Sequence, residues 1–291
     1  MKSRFADRYG EVIKGKIKMT EIVNDRSFAD GFEVRHVEKR VTDKPVAVFK
    51  LKNTTNNYPS WQIAQWGNKN NLANGKEIVR QDGSFQIYDQ SKRVIVYSEN
   101  NSATLEIDTG NEYTVPRVEG EGWPHLLLEQ WFKERKSVFS AEKIEAKINI
   151  CINKVVALQK DLMPHHTAQI SWIFAIADKN NGDYAWFGMP VYDFRWDYPS
   201  VFIAQDGGKP ENTGKLIYFI DSRKYLSAPV EIGKKVSISL DVKPFMQDAI
   251  LEAKKRGFLK NSKPEDMVIE NTNIGWEVTG TFDVSATVSD I

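Results

Sequence analysis

The chain has 291 residues, 41% hydrophobic and 27% charged, too apolar for a disordered chain and long enough to bury a core without staples. Forty Lys and Arg against 39 Asp and Glu leave a net charge of +1, so there is no global basic field to hold nucleic acid. The lone Cys151 can close no internal disulfide and build no zinc cluster.

No run approaches the roughly 18 apolar residues of a membrane span. The opening Met1–Arg8 is cationic but has no apolar stretch behind it, unlike a signal peptide. A cytoplasmic address is expected, or a periplasmic or extracellular one if Met1 replaces a removed leader. Residues 1–18 are weakly patterned and read as an N-terminal arm, with 19–291 as one domain.

From there the chain alternates with a period of two. Runs at 31–38, 46–52, 60–66, 84–88, 92–98, 102–108 and 124–132 read as short strands. At 144–152 the alternation is regular, with Ile144, Ala146, Ile148, Ile150 and Ile152 set against Glu145, Lys147, Asn149 and Cys151. That is a strand half buried in an antiparallel sheet. Ile170–Ala177 is apolar on both faces, which predicts a central strand. Further strands follow at 184–192, 200–204, 215–220 and 236–242, and the chain closes on Phe282–Val288. Asp82-Gly83, Asn180-Asn181-Gly182 and Asp206-Gly207-Gly208 punctuate the series.

One segment has helical character. Pro244–Gly257 opens on Pro and ends in Lys254, Lys255, Arg256 and then Gly, matching first-turn, dipole and C-cap preferences. Its packing stripe is read as Phe245, Ala249 and Ala253 beside Met246, Ile250 and Leu251. The pattern predicts an all-β, two-sheet antiparallel sandwich with one peripheral helix at 244–256.

The chain has no phosphate loop and no Gly-x-Ser-x-Gly elbow, and no cofactor is implied. His165-His166 follows Pro164 and reads as an exposed loop pair, since adjacent side chains of an extended chain point apart.

Three aromatic-rich segments carry the chemistry. In Gly122–Phe132, His125, Leu127, Glu129 and Trp131 share one strand face, opposite Leu126, Leu128, Gln130 and Phe132. A carboxylate and an imidazole on one face beside a Trp suit a saccharide cleft. An internal Glu–His pair at the sheet margin fits the same spacing. In the Asn-rich stretch 56–71, Trp61, Ile63 and Gln65 share a face and Trp66 lies on the other. Trp rings stack on sugar C–H faces while amides bond hydroxyls; a core Trp beside a turn is the plainer account. In Trp186–Pro199, Asp193 and Arg195 are spaced for a bidentate pair, and Trp196 and Tyr198 offer stacking surface.

With its many short strands, these aromatic segments and a final Ile274–Val288 stretch, the sequence resembles the concanavalin A-like lectin/glucanase superfamily over roughly residues 19–291. The resemblance implies a jelly roll whose concave sheet binds glycans. Two catalytic patterns of that superfamily are absent. The Glu-x-Asp-x-x-Glu signature of laminarinase-type hydrolases does not occur. Ala168-Gln-Ile-Ser171 has Ser where the jelly-roll alginate lyases have His in Gln-x-His.

Three functions stay open. One is a carbohydrate-binding jelly roll contacting a neutral oligo- or polysaccharide through Trp61, Gln65, Trp66, Trp131, Arg195, Trp196 and Tyr198. Another is a glycoside hydrolase or polysaccharide lyase using Glu129 and His125 with Asp193 or Glu277 as second carboxylate. The third is a structural sandwich whose aromatics fill the core.

Overall fold

The computed structural model describes residues 20–38, 44–51, 57–210 and 212–291. The expected arm at 1–18 lies outside the described residues.

Among the described residues sixteen strands form, in chain order: β1 (Phe32–Val34), β2 (Ala47–Phe49), β3 (Trp61–Ala64), β4 (Lys76–Val79), β5 (Phe85–Tyr88), β6 (Lys92–Tyr97), β7 (Ser102–Asp108), β8 (His125–Ser137), β9 (Glu145–Ala157), β10 (Ala168–Asp178), β11 (Tyr184–Asp193), β12 (Phe202–Gln205), β13 (Leu216–Phe219), β14 (Lys235–Asp241), β15 (Met267–Val278) and β16 (Phe282–Ser289). They make a nine-stranded sheet in the order β12-β13-β11-β10-β15-β8-β3-β1-β2 and a seven-stranded sheet in the order β14-β9-β16-β7-β6-β5-β4. All pairings are antiparallel except β1–β3 and β11–β13. The two sheets face each other across one apolar core, as alternating strands require.

The alternation explains most of the register. Ala146, Ile148, Ile150 and Ile152 of β9 face the core, as do Val284, Ala286 and Val288 of β16. The apolar β10 lies inside its sheet, between β11 and β15. β15 and β16 follow one another in the chain yet belong to opposite sheets, so residues 279–281 carry the chain across the sandwich.

Two elements depart from the sequence reading. β4 was not expected: its four residues, Lys-Glu-Ile-Val, are all exposed on a sheet edge, so no alternation marks them. β15 begins at Met267, seven residues before the Ile274 at which the pattern becomes regular, because a bulge interrupts it.

The helix α1 (Lys243–Lys255) forms as predicted, with Pro at its first turn and two lysines in its last. Met246, Ala249, Ile250 and Ala253 are its buried face, a spacing of three and four residues. Leu251, read as part of that stripe, is exposed instead.

Candidate functional site: the outer face of the nine-stranded sheet

In β8 the even residues Leu126, Leu128, Gln130 and Phe132 enter the core. Gln130 is tolerated there because its side chain exchanges two hydrogen bonds with the Asn24 backbone, 2.7 and 2.8 Å long. The odd residues His125, Leu127, Glu129 and Trp131 therefore lie on the opposite face, away from that core.

Strand register extends this face sideways. One row across the sheet runs Gln62, Glu129, Asn273, Ile173, Gly188. The next runs Trp131, Asn271, Ala175, Trp186. Over these rows lies a cleft of about 560 Å³. Its wall on the β1 side carries Arg35, His36 and Glu38, and Trp66 extends from the end of β3. On the β11 side Tyr184 stands edge-on to Trp186, ring centroids 5.0 Å apart, and the Trp186 indole N–H donates to Thr213 at 3.1 Å.

A bulge adds a second acid. Ala175 and Ile176 of β10 pair with Asn271 and Ile269, leaving Glu270 as the extra residue. An inserted residue shifts parity and re-aims its side chain, and Glu270 lines the cleft although strict alternation would turn it inward. It pairs with Arg135 at 2.9 Å. Glu129 is 6% exposed and opens onto the cleft; the Trp131 indole N–H donates to its Oε1 at 3.0 Å.

His125 shares the face but not the cleft. Four residues of strand separate it from Glu129, about 13 Å. Its ring stacks on Trp123 at 5.8 Å and meets the edge of Trp66 at 5.9 Å. Its Nε2 lies 3.3 Å from Lys209 Nζ and 3.6 Å from Glu277 Oε2. Lys209 also rests over the Trp123 ring at 3.8 Å, with Arg117 at 4.8 Å from that ring. His125 is thus a covered brace beside Trp66. Glu277 also accepts the Trp123 indole N–H at 3.0 Å and does not line the cleft.

Other expected contacts sit elsewhere. Trp61 is fully buried, packed against Phe28 at 5.2 Å, with its N–H given to the Asp25 carbonyl. Gln65 is also fully buried; it holds Arg35 O, Asn71 and Leu72 N. Neither reaches a ligand, because odd positions of β3 face the core and even ones face out. Asp193 is held by Arg195, at 2.6 and 2.9 Å, and by Thr167 at 2.8 Å. That pair fixes a turn away from the cleft. Trp196 is exposed on the same turn without lining the cleft, and Tyr198 packs on the core. The histidine pair is not an exposed loop: His166 is 3% exposed, and both imidazoles approach the Arg117 carbonyl.

The sequence reading passed over Gln62, Tyr184 and Trp186, whose signal was parity with Trp66 and Gly188. Glu270 and Asn271 had no local signal, because the bulge hides them.

No family model and no curated protein matches the chain. Several solved structures are similar in shape. A family 12 xyloglucanase from Bacillus licheniformis is 9% identical, with 74% of this chain and 94% of that one covered and a TM-score of 0.43. The endoglucanase cel12A from Rhodothermus marinus is 12% identical, with coverage of 74% and 95% and a TM-score of 0.38. The Trichoderma harzianum endoglucanase 3 of family GH12 is 10% identical, with coverage of 79% and 89% and a TM-score of 0.35. The likeness assigns no residue of this chain a role.

Proposed function

We propose that the protein binds an oligo- or polysaccharide in this cleft. The observation that carries the reading is an aromatic rim over a polar floor: Trp66, Trp131, Trp186 and Tyr184 surround Gln62, Glu129 and Asn271. Indole and phenol rings stack on the apolar faces of sugars while amides and carboxylates take the hydroxyls. Trp131 is 50% exposed, a large apolar surface left open at a concave site. Glu38, Glu129 and Glu270 against Arg35 and His36 give the cleft an acidic balance, which favours neutral sugars over uronates.

One observation supports a second reading, glycoside hydrolysis. Glu129 and Glu270 line the same cleft, and the second is there only because of the bulge. Paired carboxylates are the working groups of most glycosidases. Asp193 and Glu277, the partners expected from sequence, are engaged elsewhere.

A glycan-panel titration of the intact protein, Trp131→Ala, Glu129→Gln and Glu270→Gln, following heat and product, tests both. Trp131→Ala is expected to weaken binding at least about tenfold, the order of one lost aromatic contact. Product made by the intact protein but not by Glu129→Gln, with binding retained, selects the hydrolase. Binding without product selects the binding protein. No binding to any glycan discards the saccharide reading in favour of a structural sandwich.

A further inference from the structure

On the outer face of β15, at and beside the cleft, stand two side-chain amides whose oxygens have no partner among the described residues. Asn271 is 1% exposed and Asn273 5%, and among the described residues nothing bonds to the Oδ1 of either. On β15 they stand opposite Trp131 and Glu129, which places both on the outer face, and Asn271 lines the cleft. The fully buried Gln65 and Gln130 show the contrast: each is engaged by backbone groups through both ends of its amide. Buried acceptors are costly to leave unmet. Asn68 Oδ1 is unmet too, but Asn271 and Asn273 are neighbours on one strand face, the first lining the cleft, where a bound molecule can meet them.

We infer that Asn271 and Asn273 are the specificity-determining floor of the site, taking hydroxyl donors from a bound neutral sugar. The inference rests on the saccharide reading above and adds which residues select the ligand. Neither oxygen is open to the cleft, so a neighbouring side chain must move first. Trp131 is placed to do so. It stands directly across from Asn271 and is half exposed, and its indole N–H donates to Glu129. A sugar hydroxyl can replace that N–H at Glu129 while the ring turns to stack on the sugar face. The site then presents two amide oxygens and a carboxylate on neighbouring rows of the sheet, all acceptors. A ligand with several adjacent hydroxyls complements them, whereas a uronate carboxylate meets like charge. A site built to bond a hydroxyl also rejects the analogue lacking it.

The experiment uses calorimetry on the full chain with cello-, xylo-, manno-, galacto- and galacturono-oligosaccharides. The variants are Asn271→Leu, Asn273→Leu and Asn273→Ala, and the melting temperature of each empty protein is measured alongside. The Leu variants are expected to melt at or above the wild-type temperature, because an unmet acceptor has been replaced by an apolar group of similar size. They are expected to bind the best neutral ligand at least about tenfold more weakly. A monodeoxy analogue that weakens wild-type binding should cost nothing further in the matching variant, as a thermodynamic cycle requires. Wild-type binding that persists undiminished in the Leu variants overturns the assignment and leaves the saccharide cleft standing. Lowered melting temperatures in both Asn273→Leu and Asn273→Ala mark that amide as structural and overturn it too. A wild-type protein that binds none of the glycans overturns both readings.

Discussion

Trp61 and Trp131 stand on opposite sides of the same sheet, and that separates their roles. Trp61 is fully buried with its N–H bonded to Asp25 O. Trp61→Ala is expected to cost about 3–5 kcal/mol of stability, the range for emptying a core aromatic site, measured by urea denaturation. Trp131→Ala should leave stability within about 0.5 kcal/mol, as a surface change does, and act on binding alone. Tyr225 gives a test of pH. Burial pushes its phenol well above the ordinary range, and its O–H donates to Pro190 O at 2.7 Å. A group whose folded value is raised stabilises fully below its unfolded value of about 10, and that contribution is lost as pH rises further. Burial moves Tyr192 and Tyr218 the same way. Unfolding midpoints between about pH 9 and 11.5 should therefore fall with pH, and less steeply in Tyr225→Phe.

Elements are held in place by a few contacts that their own sequences do not announce. Lys92 of β6 and Glu112 are both fully buried at the side chain and pair at 3.0 Å. The Glu112 carboxylate also accepts from the backbone N–H of Lys69 and Asn70, fixing the loop that follows Trp66. Lys92→Met leaves a buried carboxylate without its cation, so a loss of about 3–5 kcal/mol is expected. Changing both residues to apolar ones should not restore stability, because two loop N–H groups lose their acceptor. Calorimetric melting of the single and double variants checks this. Close approach sets another limit. At Gly275 of β15 a Cβ would run into the Leu126 carbonyl oxygen of the neighbouring β8. Gly275→Ala must therefore part the two strands that carry Glu129 and Asn273, and the soluble fraction of that variant should drop. The helix has an edge to guard as well: Arg256, just past α1 and held by Glu252 at 2.6 Å, donates to Ile203 O on the edge strand β12. A covered carbonyl is one less site for strand pairing with another chain.

At the scale of the molecule, the apolar residues of both sheets and of α1 join in a single cluster, which supports reading the described chain as one domain. One cooperative calorimetric transition is expected, with equal calorimetric and van't Hoff enthalpies; two resolved transitions would contradict it. The sequence by itself determined the all-β class, nearly every strand, the helix, and which residues of a strand stand together, such as Glu129 with Trp131. These are local matters, because alternation and caps are written within a few residues of where they act. Only the tertiary structure decided which of the two faces looks outward. Period two relates neighbours to each other but does not say which side the other sheet will cover, so Trp61 and Gln65 could pass for cleft residues. It also decided that Trp66, Trp131 and Trp186, from three segments far apart in the chain, meet at one cleft. The bulge is the sharpest case. One inserted residue reverses the parity on which any strand reading depends, and it alone turns Glu270 onto the face where Glu129 and Asn271 already stand.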